Sequence, residues 1–406
     1  MLSQRGLKSA TSQDIPWRFA PGGNNRYDSV TNPSGVISFA TAENVSIPRE
    51  AFLYRFSTMG GPRFPIAMAR HLNEYFHPFN PIKPEQIITA SGLTAIHELV
   101  ACSIGNPGDG ILVSRPVYGR FELDFGNTAD LNIVYADMDG VDPFGTDAVP
   151  KYQIALENAL KDKGIKVKAL LIVNPHNPLG RCFPPSSLRE LMGFCQRNSI
   201  HMISDEVYGL SVYGETNSND ERSIGFSSVL SIDSTGLIDP DRLHVFYGMS
   251  KDFGAAGLRL GCLITQSTLL RKAVSCNMRF HNPSGMSIAI ATAILEDREF
   301  VKSFINISRQ LLNEARQCTS QILDRAGIKY HSGSNAGFFL YIDLSPWLVD
   351  TSGDSQDEND AEYALAQKML DAGVGIHPCE EHGESKGHFR LVFSQQRDIL
   401  EEGLSR

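Results

Sequence analysis

A lysine and an aspartate each follow an apolar, β-branched run of the kind that forms a buried strand. Lys251 ends the segment YGMSK at 247–251, and Asp205 lies in the segment ISDEVY at 203–208. A carboxylate at the end of a buried strand needs a cationic partner to stay ionised, so Asp205 is the acid that we expect to act chemically. Glu206 beside it is interpreted as a solvated acid at a helix N-terminus. An amine and an acid at the strand ends of one open sheet indicate a ligand site.

Two further segments offer other polar groups. The segment ASGLTA at 90–95 consists of small residues that lead into a predicted helix, whose free backbone N–H groups suit a phosphate. An ordinary helix start is the alternative, because the motif is short. The segment NPHNPLG at 174–180 contains two Asn-Pro units, which force a rigid turn and hold Asn177 as a fixed amide. A sharp connecting turn without a chemical role is the alternative there.

Together these segments match the requirements of one cofactor, pyridoxal phosphate. Lys251 supplies an amine for a Schiff base with the aldehyde, Asp205 keeps the pyridine nitrogen protonated, and 90–95 offers an anion site for the phosphate. Arg259 follows the lysine in a glycine-rich stretch, AGLRLG at 256–261. The alternative interpretation of Lys251 is a surface lysine whose stem lies along apolar surface.

The spacing of apolar residues predicts the elements that must position these groups. Helical spacing covers 64–77, and short β-branched runs then alternate with helical stretches. The predicted strands are 86–90, 111–114, 132–136, 170–173, 201–204, 243–247 and 258–264. Seven strands separated by helices predict an α/β fold, with a mostly parallel seven-stranded sheet and helices on both faces.

A different organisation follows after residue 285. Two long helices are predicted at 287–299 and 300–327, and the second is long enough to contain a domain change. A smaller α+β domain follows, with strands at 337–344 and 389–393 and a helix at 360–373.

The N-terminal region differs again in composition. Residues 11–35 are rich in Pro, Gly, Asn and Ser and are predicted to form an extended arm. We therefore divide the chain into an N-terminal arm with part of the small domain (1–55), a large cofactor-binding domain (56–300) and a C-terminal small domain (301–406).

The composition is that of an ordinary folded protein. The chain of 406 residues is 42% hydrophobic and 20% charged, which excludes disordered, collagenous and coiled-coil classes. Lys and Arg number 37 against 46 Asp and Glu, a formal net charge of −9. Because basic runs are absent from the sequence, we expect neither nucleic acid nor an anionic membrane surface as a partner.

Cysteine usage and the N-terminus bear on the compartment. The seven cysteines lie far apart without a CxxC pair, so the sequence predicts neither a disulfide framework nor a metal site. The first 23 residues lack the apolar segment of a signal peptide, and no apolar window is long enough to span a membrane. We therefore expect a cytoplasmic protein with reduced thiols.

The order of the motifs resembles that of one enzyme family. NPHNPLG, SDEVY, SKDFGAAGLRLG and FRLVFS occur in the order and approximate spacing found in fold type I pyridoxal-phosphate enzymes of the aspartate aminotransferase (class I/II) family. Within that family the chain is most similar to 1-aminocyclopropane-1-carboxylate (ACC) synthase-like proteins, over about residues 35–393. The resemblance implies the fold type I transferase fold, an α-amino acid substrate, and a homodimer with the site at its interface.

The resemblance also implies roles for the matching residues. Lys251 carries the cofactor and moves the Cα proton, and Asp205 pairs with the pyridinium nitrogen. Tyr208 and Asn177 hydrogen-bond the phenolic oxygen of the ring, and Tyr118 stacks on the ring. The residues implied to hold the phosphate are Gly92, Leu93, Thr94, Ser250 and Arg259.

Three residues are expected to bind the substrate: Arg390, Asn177 and Glu43. Arg390 takes the α-carboxylate in a bidentate pair, which a planar guanidinium suits. Glu43 lies in an Ala-Glu-Asn stretch similar to that of ACC synthases, whose glutamate lies near the substrate. A solvated carboxylate is the alternative interpretation of Glu43.

Two positions depart from the family pattern. Thr58 stands where relatives have a tyrosine that reaches the phosphate of the partner subunit, and Gly248 replaces the first serine of Ser-x-Ser-Lys. Both departures predict a more loosely held cofactor and space for a bulkier substrate.

The machinery for removing the Cα proton does not by itself select the reaction. Through an external aldimine and a quinonoid, the same site supports transamination, elimination or cyclisation. The resemblance to ACC synthase-like proteins favours a lyase acting at a carbon–sulfur bond, of the ACC synthase or cysteine-conjugate type, in secondary metabolism. The alternatives are an aminotransferase of a large or aromatic amino acid, and a catalytically silent cofactor-binding protein with a regulatory role.

Overall fold

The computed structural model describes residues 2–13, 30–35, 60–213, 224–348, 360–378 and 386–406. The α-helices in these ranges are α1 (Gln4–Gln13), α2 (Phe64–Tyr75), α3 (Leu93–Ile104), α4 (Phe121–Gly126), α5 (Val149–Lys163), α6 (Pro185–Arg197), α7 (Thr268–Asn277), α8 (Gly285–Glu296), α9 (Arg298–Ala326), α10 (Asp360–Asp371) and α11 (Arg397–Ser405). The strands are β1 (Ile87–Ala90), β2 (Gly110–Ser114), β3 (Asn132–Ala136), β4 (Val167–Val173), β5 (His201–Asp205), β6 (Leu243–Gly248), β7 (Gly261–Thr265), β8 (Lys329–Tyr330), β9 (Phe339–Asp343), β10 (His377–Pro378) and β11 (His388–Val392).

Strands β1 to β7 form one sheet in the order β1-β7-β6-β5-β4-β2-β3. Neighbours from β6 to β3 are parallel, whereas β7 runs antiparallel to both β6 and β1. The predicted mostly parallel seven-stranded sheet is therefore confirmed.

The side chains of β4 show how the sheet is covered on both faces. Leu170 and Ile172 join an apolar cluster with α2, α5, α6 and α8, while Ala169, Leu171 and Val173 join a second cluster with α3, α4 and α7. Successive residues of a strand point to opposite faces, and a parallel sheet is stable only when both faces are buried. The continuous apolar run that predicted this strand follows from that double burial.

A second, antiparallel sheet lies in the C-terminal part, in the order β10-β11-β9-β8. Its apolar face packs with residues of α9, α10 and α11, including Leu312, Leu365 and Leu400. Helix α9 begins at an Asp297 cap and ends at Gly327, which takes the left-handed conformation that favours glycine. The smaller α+β unit is thus confirmed, while the boundaries at 55/56 and 300/301 stay predictions. Within the described ranges no helix is both long and apolar enough to cross a bilayer.

The N-terminal region contains a helix where the sequence suggested an arm. Residues 11–13, predicted as extended, end α1, which packs against α3 and α7 of the large sheet. The Arg5 guanidinium donates to the carbonyls of Gly105 (2.9 Å) and Ala129 (2.6 Å). Long-range contacts of this kind stabilise a short helix that its own sequence predicts weakly.

The last strand of the large sheet begins later than predicted. Residues 256–258 form a single 3₁₀ turn, and Arg259 takes a left-handed conformation with φ of 50° before β7 starts at Gly261. The prediction of a strand over 258–264 was wrong at its start, because apolar residues near a turn resemble a strand. Arg259 therefore belongs to a loop at the sheet edge.

Candidate active site

The predicted cofactor residues meet at one edge of the large sheet. Asp205 is the last residue of β5, and Lys251 follows the end of β6, the next strand in the sheet. Arg259 precedes β7 and Gly92 follows β1, which are the next two strands. Because β7 is antiparallel, its start lies at the same edge as the ends of β5, β6 and β1. The acid, the amine and the phosphate-binding candidates thus follow one another across four adjacent strands.

Glycines allow Arg259 to approach the start of α3. Gly92 has a φ of 90°, and a Cβ atom on it would lie 2.5 Å from Nη2 of Arg259. A Cβ atom on Gly261 would lie 2.5 Å from the carbonyl carbon of Gly92. The guanidinium also donates to the carbonyl of Ala256 at 3.2 Å. The positive N-terminus of α3 and the guanidinium of Arg259 form a cradle that suits a phosphate. A side chain at Gly92 or Gly261 would fill this cradle.

Lys251 lies in an environment that disfavours its charge. Burial lowers the pKa of its amine, the charge of Arg390 lowers it further, and Asp205 acts in the opposite direction. The Lys251 Nζ atom lies 5.7 Å from the centroid of the Tyr208 ring. A lysine of lowered pKa is more often neutral and hence nucleophilic.

Asp205 is buried and held by two groups. Its Oδ1 accepts the backbone N–H of Val207 at 3.1 Å, and its Oδ2 lies 3.8 Å from Nε2 of His97. Burial raises the pKa of the carboxyl, whereas His97, the Val207 amide and Lys251 lower it, in that order. The surroundings therefore compensate in part for the desolvation of the carboxylate.

His97 connects Asp205 to a second carboxylate, Asp124. The Nδ1 atom of His97 lies 2.7 Å from Oδ2 of Asp124, and the imidazole ring packs among Phe121, Phe125 and Phe246. Nε2 of His97 is buried and has no hydrogen-bond partner in the described part of the chain. This nitrogen faces Asp205, the acid that would pair with a pyridinium. His97 is therefore placed to stabilise the carboxylate of Asp205.

The sequence analysis missed Asp124 as a site residue. It lies in the short helix α4, and the signal that identifies it is its contact with His97, which brings together two elements separated by β2. Glu206 also differs from its interpretation as a solvated acid. It is fully buried and accepts hydrogen bonds from Ser204 and Ser228 and from the backbone of Val229, and burial raises its pKa to about 7.

Asn177 and Arg390 meet although they are far apart in the chain. Nη1 of Arg390 donates to Oδ1 of Asn177 at 3.2 Å. Arg390 lies on β11 opposite Tyr341 of β9, and its guanidinium carbon is 5.9 Å from the centroid of Phe339. Nε of Arg390 is buried without a hydrogen-bond partner among the described residues. A guanidinium with an unused buried donor is suited to bind a carboxylate.

A cavity of about 390 Å³ connects these groups. The predicted residues that line it are Leu93, Thr94, Tyr118, Asn177, Asp205, Tyr208, Ser250, Lys251, Arg259 and Arg390. His97, Arg120, Phe121, Asp124, Phe338, Phe339 and Val392 complete much of the wall. Tyr208 packs edge-on against Phe338 and Phe339, so this part of the wall is aromatic. Glu43 and Thr58 lie outside the described residues.

Gly248 has a packing reason for being glycine. It pairs with Gly261 across β6 and β7, and a Cβ atom on it would lie 2.6 Å from the carbonyl oxygen of Leu260. A serine at this position therefore requires a shift of the backbone at Leu260, just before β7. The departure from Ser-x-Ser-Lys is coupled to the close approach of these two strands.

The donor set fits pyridoxal phosphate. An acid, an amine of lowered pKa and a cationic cradle line one cavity in that order across the sheet, and the cradle is kept open by Gly92. At these three points the site supplies a partner for the pyridine nitrogen, the aldehyde and the phosphate of the cofactor.

Comparison with known proteins agrees with this site. Residues 25–406 match the family model of aminotransferase class I and II. The 1-aminocyclopropane-1-carboxylate synthase-like protein 1 of Bos taurus is 31% identical over 405 residues, covering 94% of this chain and 77% of that protein. The probable aminotransferase aclI of Aspergillus oryzae is 31% identical over 345 residues, covering 84% and 78%. A structure of Thermus thermophilus aspartate aminotransferase with maleate has a TM-score of 0.69 at 21% identity, covering 86% of this chain and 82% of the other.

The family model and the relatives define a fold type I pyridoxal-phosphate enzyme, and the solved structures share its fold. The chain belongs to the aminotransferase class I and II family. Pyridoxal phosphate is the cofactor of this family, whose members bind amino-acid substrates and are typically dimers. The predicted resemblance, fold and cofactor are confirmed.

Proposed function

We propose that this enzyme acts on an α-amino acid and eliminates a sulfur group from it, as a carbon–sulfur lyase of the ACC synthase-like or cysteine-conjugate type. The observation that carries the α-amino acid substrate is the meeting of Arg390, Asn177 and Lys251 in one cavity with Asp205. These four residues provide carboxylate recognition, a base and support for the cofactor.

Residues of this chain would hold the cofactor at three points. Asp205 would pair with the pyridine nitrogen, Lys251 would bind the aldehyde carbon, and Arg259 with the start of α3 would bind the phosphate. Tyr118 would stack on the ring, and Tyr208 and Asn177 would donate to its phenolic oxygen. When bound, pyridoxal phosphate supplies an electron sink for the pair left at Cα of the substrate.

Arg390 would fix the substrate by its α-carboxylate. Its buried Nε and its two terminal nitrogens offer a fork of donors, and the Asn177 amide oxygen holds one of them at 3.2 Å. A bidentate pair orients the substrate as well as binding it.

Once the substrate amine has displaced it from the aldehyde carbon, Lys251 would accept the Cα proton as a free amine. Its lowered pKa favours the neutral amine that proton transfer requires. In elimination the carbon–sulfur bond breaks, and sulfur leaves with the bonding electron pair as a thiolate or thioether. A thiolate is a good leaving group at neutral pH because the pKa of a thiol is about 8.5, so the reaction does not demand a strong acid at sulfur.

Two observations support the choice of a sulfur-containing substrate. The wall formed by Phe338, Phe339 and Tyr208 is aromatic, and sulfur makes favourable contacts with aromatic rings. The similarity to ACC synthase-like protein 1 covers nearly the whole chain. The aromatic wall favours a soft, polarisable substituent, which both a sulfide and a sulfonium provide.

An aminotransferase acting on a large or aromatic amino acid is the second candidate. The similarity to the probable aminotransferase aclI favours it, as does the same aromatic wall. In this reaction Lys251 would return the proton to the cofactor side and the amino group would stay on the cofactor. The products, rather than the binding residues, distinguish the two functions.

The test combines purified enzyme and cofactor with single amino acids and analyses the products. The panel contains S-adenosylmethionine, cysteine S-conjugates and aromatic amino acids. Release of a thiol, a thioether or ACC, with recovery of the initial cofactor absorption, supports the lyase. Conversion of the cofactor to pyridoxamine phosphate with formation of a 2-oxo acid contradicts the lyase and supports the aminotransferase. Bound cofactor without turnover of any substrate supports the silent regulatory protein.

Two variants check the residue roles in the same assay. Lys251→Ala is expected to abolish the absorption of covalently bound cofactor. Arg390→Ala is expected to raise KM by roughly 10- to 150-fold, the equivalent of about 1.5–3 kcal/mol for hydrogen bonds to a charged group. An unchanged KM would remove Arg390 from carboxylate binding.

We also propose that the protein is a cytoplasmic homodimer with the site near the interface. We further propose that the chain divides into an arm, a large domain and a small domain, with boundaries at 55/56 and 300/301. Sedimentation of the loaded enzyme tests the dimer. A species of twice 44.7 kDa is expected, and a monomer with full activity would contradict the shared site.

A further inference from the structure

Asp252, the neighbour of Lys251, is buried and accepts three hydrogen bonds. Its Oδ2 accepts from the backbone N–H of Leu210 at 2.9 Å and from the hydroxyl of Tyr247 at 3.1 Å, and its Oδ1 accepts from the hydroxyl of Ser211 at 2.6 Å. Only 3% of Asp252 is exposed. A carboxylate that receives three donors in a buried position is a structural centre whose loss leaves several groups unpaired.

Two of these donors belong to the turn that carries Tyr208. The backbone N–H of Ser211 donates to the carbonyl of Tyr208 at 2.9 Å, which closes the turn 208–211. The ring of Tyr208 in turn faces the amine of Lys251 at 5.7 Å. Asp252 therefore links the segment that bears the phenol to the segment that bears the amine.

A residue of the long helix α9 holds the same turn from its other side. Nε of Arg309 donates to the carbonyl of Leu210 at 2.8 Å, while the N–H of Leu210 donates to Asp252. The residue Leu210 is thus fixed at both of its backbone polar groups. Burial raises the pKa of Asp252 to about 7, and the charge of Arg309 is one of the influences that oppose this rise.

The third donor to Asp252 comes from the strand before the lysine. The hydroxyl of Tyr247 donates to Oδ2 of Asp252, and its oxygen lies 3.2 Å from Nε2 of His71. Burial lowers the pKa of His71 to about 3 and raises that of Tyr247, so both groups are neutral near pH 7.

We propose that Asp252 is a positioning residue that holds the Tyr208 turn against the Lys251 loop, so that the phenol and the amine keep a fixed mutual position. The inference rests on the proposed function of Lys251 and Tyr208 at the cofactor. Asp252 acts through these two residues and does not itself touch substrate or cofactor.

The test compares Asp252→Ala with Asp252→Asn in the full-length enzyme. Hydrogen exchange of the backbone amides in 208–213, measured by mass spectrometry without cofactor, reports the turn. Asp252→Ala is expected to speed exchange there by roughly tenfold or more, since the buried acceptor of the Leu210 amide is lost. Asp252→Asn keeps an acceptor for Leu210 and is expected to restore most of the protection.

The absorption spectrum of the loaded enzyme reports the consequence for the site. Asp252→Ala is expected to shift the pH at which bound cofactor changes its absorption and to lower kcat with little change in KM, because Arg390 is untouched. Asp109→Ala is the matched control. Asp109 is also buried and accepts a backbone N–H, from Asn106 at 2.8 Å, but it lies just before β2, at the opposite edge of the sheet.

The outcomes separate this inference from the proposed function. The positioning role would be overturned if amide exchange became faster in the whole chain of Asp252→Ala and not only in 208–213. It would also be overturned if both variants kept the wild-type exchange in 208–213 and the wild-type spectrum. If Asp252→Ala does not fold, Ser211→Ala replaces it, and its turn must exchange faster while the rest stays protected. Wild-type enzyme that forms no covalent cofactor absorption contradicts the proposed function, and the inference fails with it.

Discussion

Among the side chains of the pocket, His97 is the one whose contacts bear most on the role of Asp205. It stands between the carboxylates of Asp124 (2.7 Å) and Asp205 (3.8 Å), inside a cage of three phenylalanine rings. Burial by itself raises the pKa of Asp205, and His97 provides the largest opposing influence. An imidazole backed by Asp124 can therefore keep Asp205 ionised for a pyridinium partner.

Replacement of His97 tests this support. His97→Phe keeps an aromatic ring in the cage and removes both nitrogens, so Asp205 loses the imidazole nitrogen beside it. We expect the dissociation constant of pyridoxal phosphate to rise roughly tenfold, the scale of about one pKa unit of electrostatic support for Asp205. Asp124→Asn is expected to give a smaller rise in the same direction. Equilibrium titration of apoenzyme with cofactor measures both.

Phe125→Leu is the control for packing in that experiment. It trims the cage around His97 without removing a charge or a hydrogen bond. If it weakens cofactor binding as much as His97→Phe does, the effect of His97 is packing and the electrostatic explanation is wrong.

The amine of Lys251 gives a second prediction for single residues. The Arg390 charge is one cause of its lowered pKa, so Arg390→Gln is expected to let that pKa rise. Covalent attachment of pyridoxal phosphate requires the neutral amine, and its pH profile should move to higher pH. Reductive trapping of the attached cofactor across a pH series measures the profile. Arg259→Gln is the control, because Arg259 is not among the charges that act on Lys251; equal profiles for wild type and Arg390→Gln would contradict the coupling.

Among the elements, α1 depends most on contacts that are distant in sequence. Gly6 faces the backbone of α3 so closely that an added Cβ atom would meet the carbonyl oxygen of Ser103. Ser3 donates to that same carbonyl and to the carbonyl of Cys102. A glycine within a helix usually costs stability, and its presence here is explained by this close approach.

Gly6→Ala is therefore expected to destabilise the protein although alanine favours helices. We expect a loss of about 1–3 kcal/mol in the free energy of unfolding, the usual cost of overpacking, and faster proteolysis of α1. Gly403→Ala in α11 is the matched control, since a Cβ atom there has no neighbour within 4 Å. That change should be neutral or stabilising by up to about 1 kcal/mol. Equal effects of the two substitutions in urea unfolding would argue against docking of α1 on α3.

At the scale of the whole molecule, the two edges of the large sheet carry different buried groups. The carboxyl edge holds the candidate active site. At the opposite edge, Nδ1 of His201 lies 2.9 Å from Nε2 of His244, whose Nδ1 lies 2.8 Å from the hydroxyl of Thr265. Burial and the neighbouring His201 lower the pKa of His244 well below 6.5. The folded protein therefore holds this histidine neutral.

This neutral histidine predicts loss of stability in acid. The unfolded chain binds a proton at His244 near its ordinary pKa of 6.5, whereas the folded chain does not, so stability is complete above 6.5 and falls as the pH drops below it. His244→Asn should remove a slope of up to about 1.4 kcal/mol per pH unit. Urea unfolding at several pH values measures the slope.

Other buried groups make the comparison with wild type necessary. His71 acts with the same sign, since its pKa is lowered to about 3. Glu206 and Asp252, with pKa values raised to about 7, act with the opposite sign and stabilise the fold as the pH falls below 7. Parallel pH profiles for His244→Asn and wild type would show that the histidine pair does not titrate on unfolding.

The sequence by itself determined the fold and the identity of most candidate site residues. Strands such as β4 bury both faces and so must be continuously apolar, and the groups that follow their ends must meet at one edge. Lys251 and Asp205 were identifiable for this reason, because each lies within a few residues of a strand end, whereas the phosphate role of Arg259 came from the family resemblance. The motif FRLVFS similarly identified Arg390 once the family resemblance was recognised.

Only the tertiary structure decided which groups stand next to these residues. Asp124 supports His97 from another helix, Asp252 receives donors from the turn after β5, and Glu206 turns inward to Ser228. These contacts join residues from different elements, and their energies depend on distance and burial, which local patterns do not encode. A pattern along the chain records which face of an element is buried, whereas the partner on that face is fixed only when the elements pack.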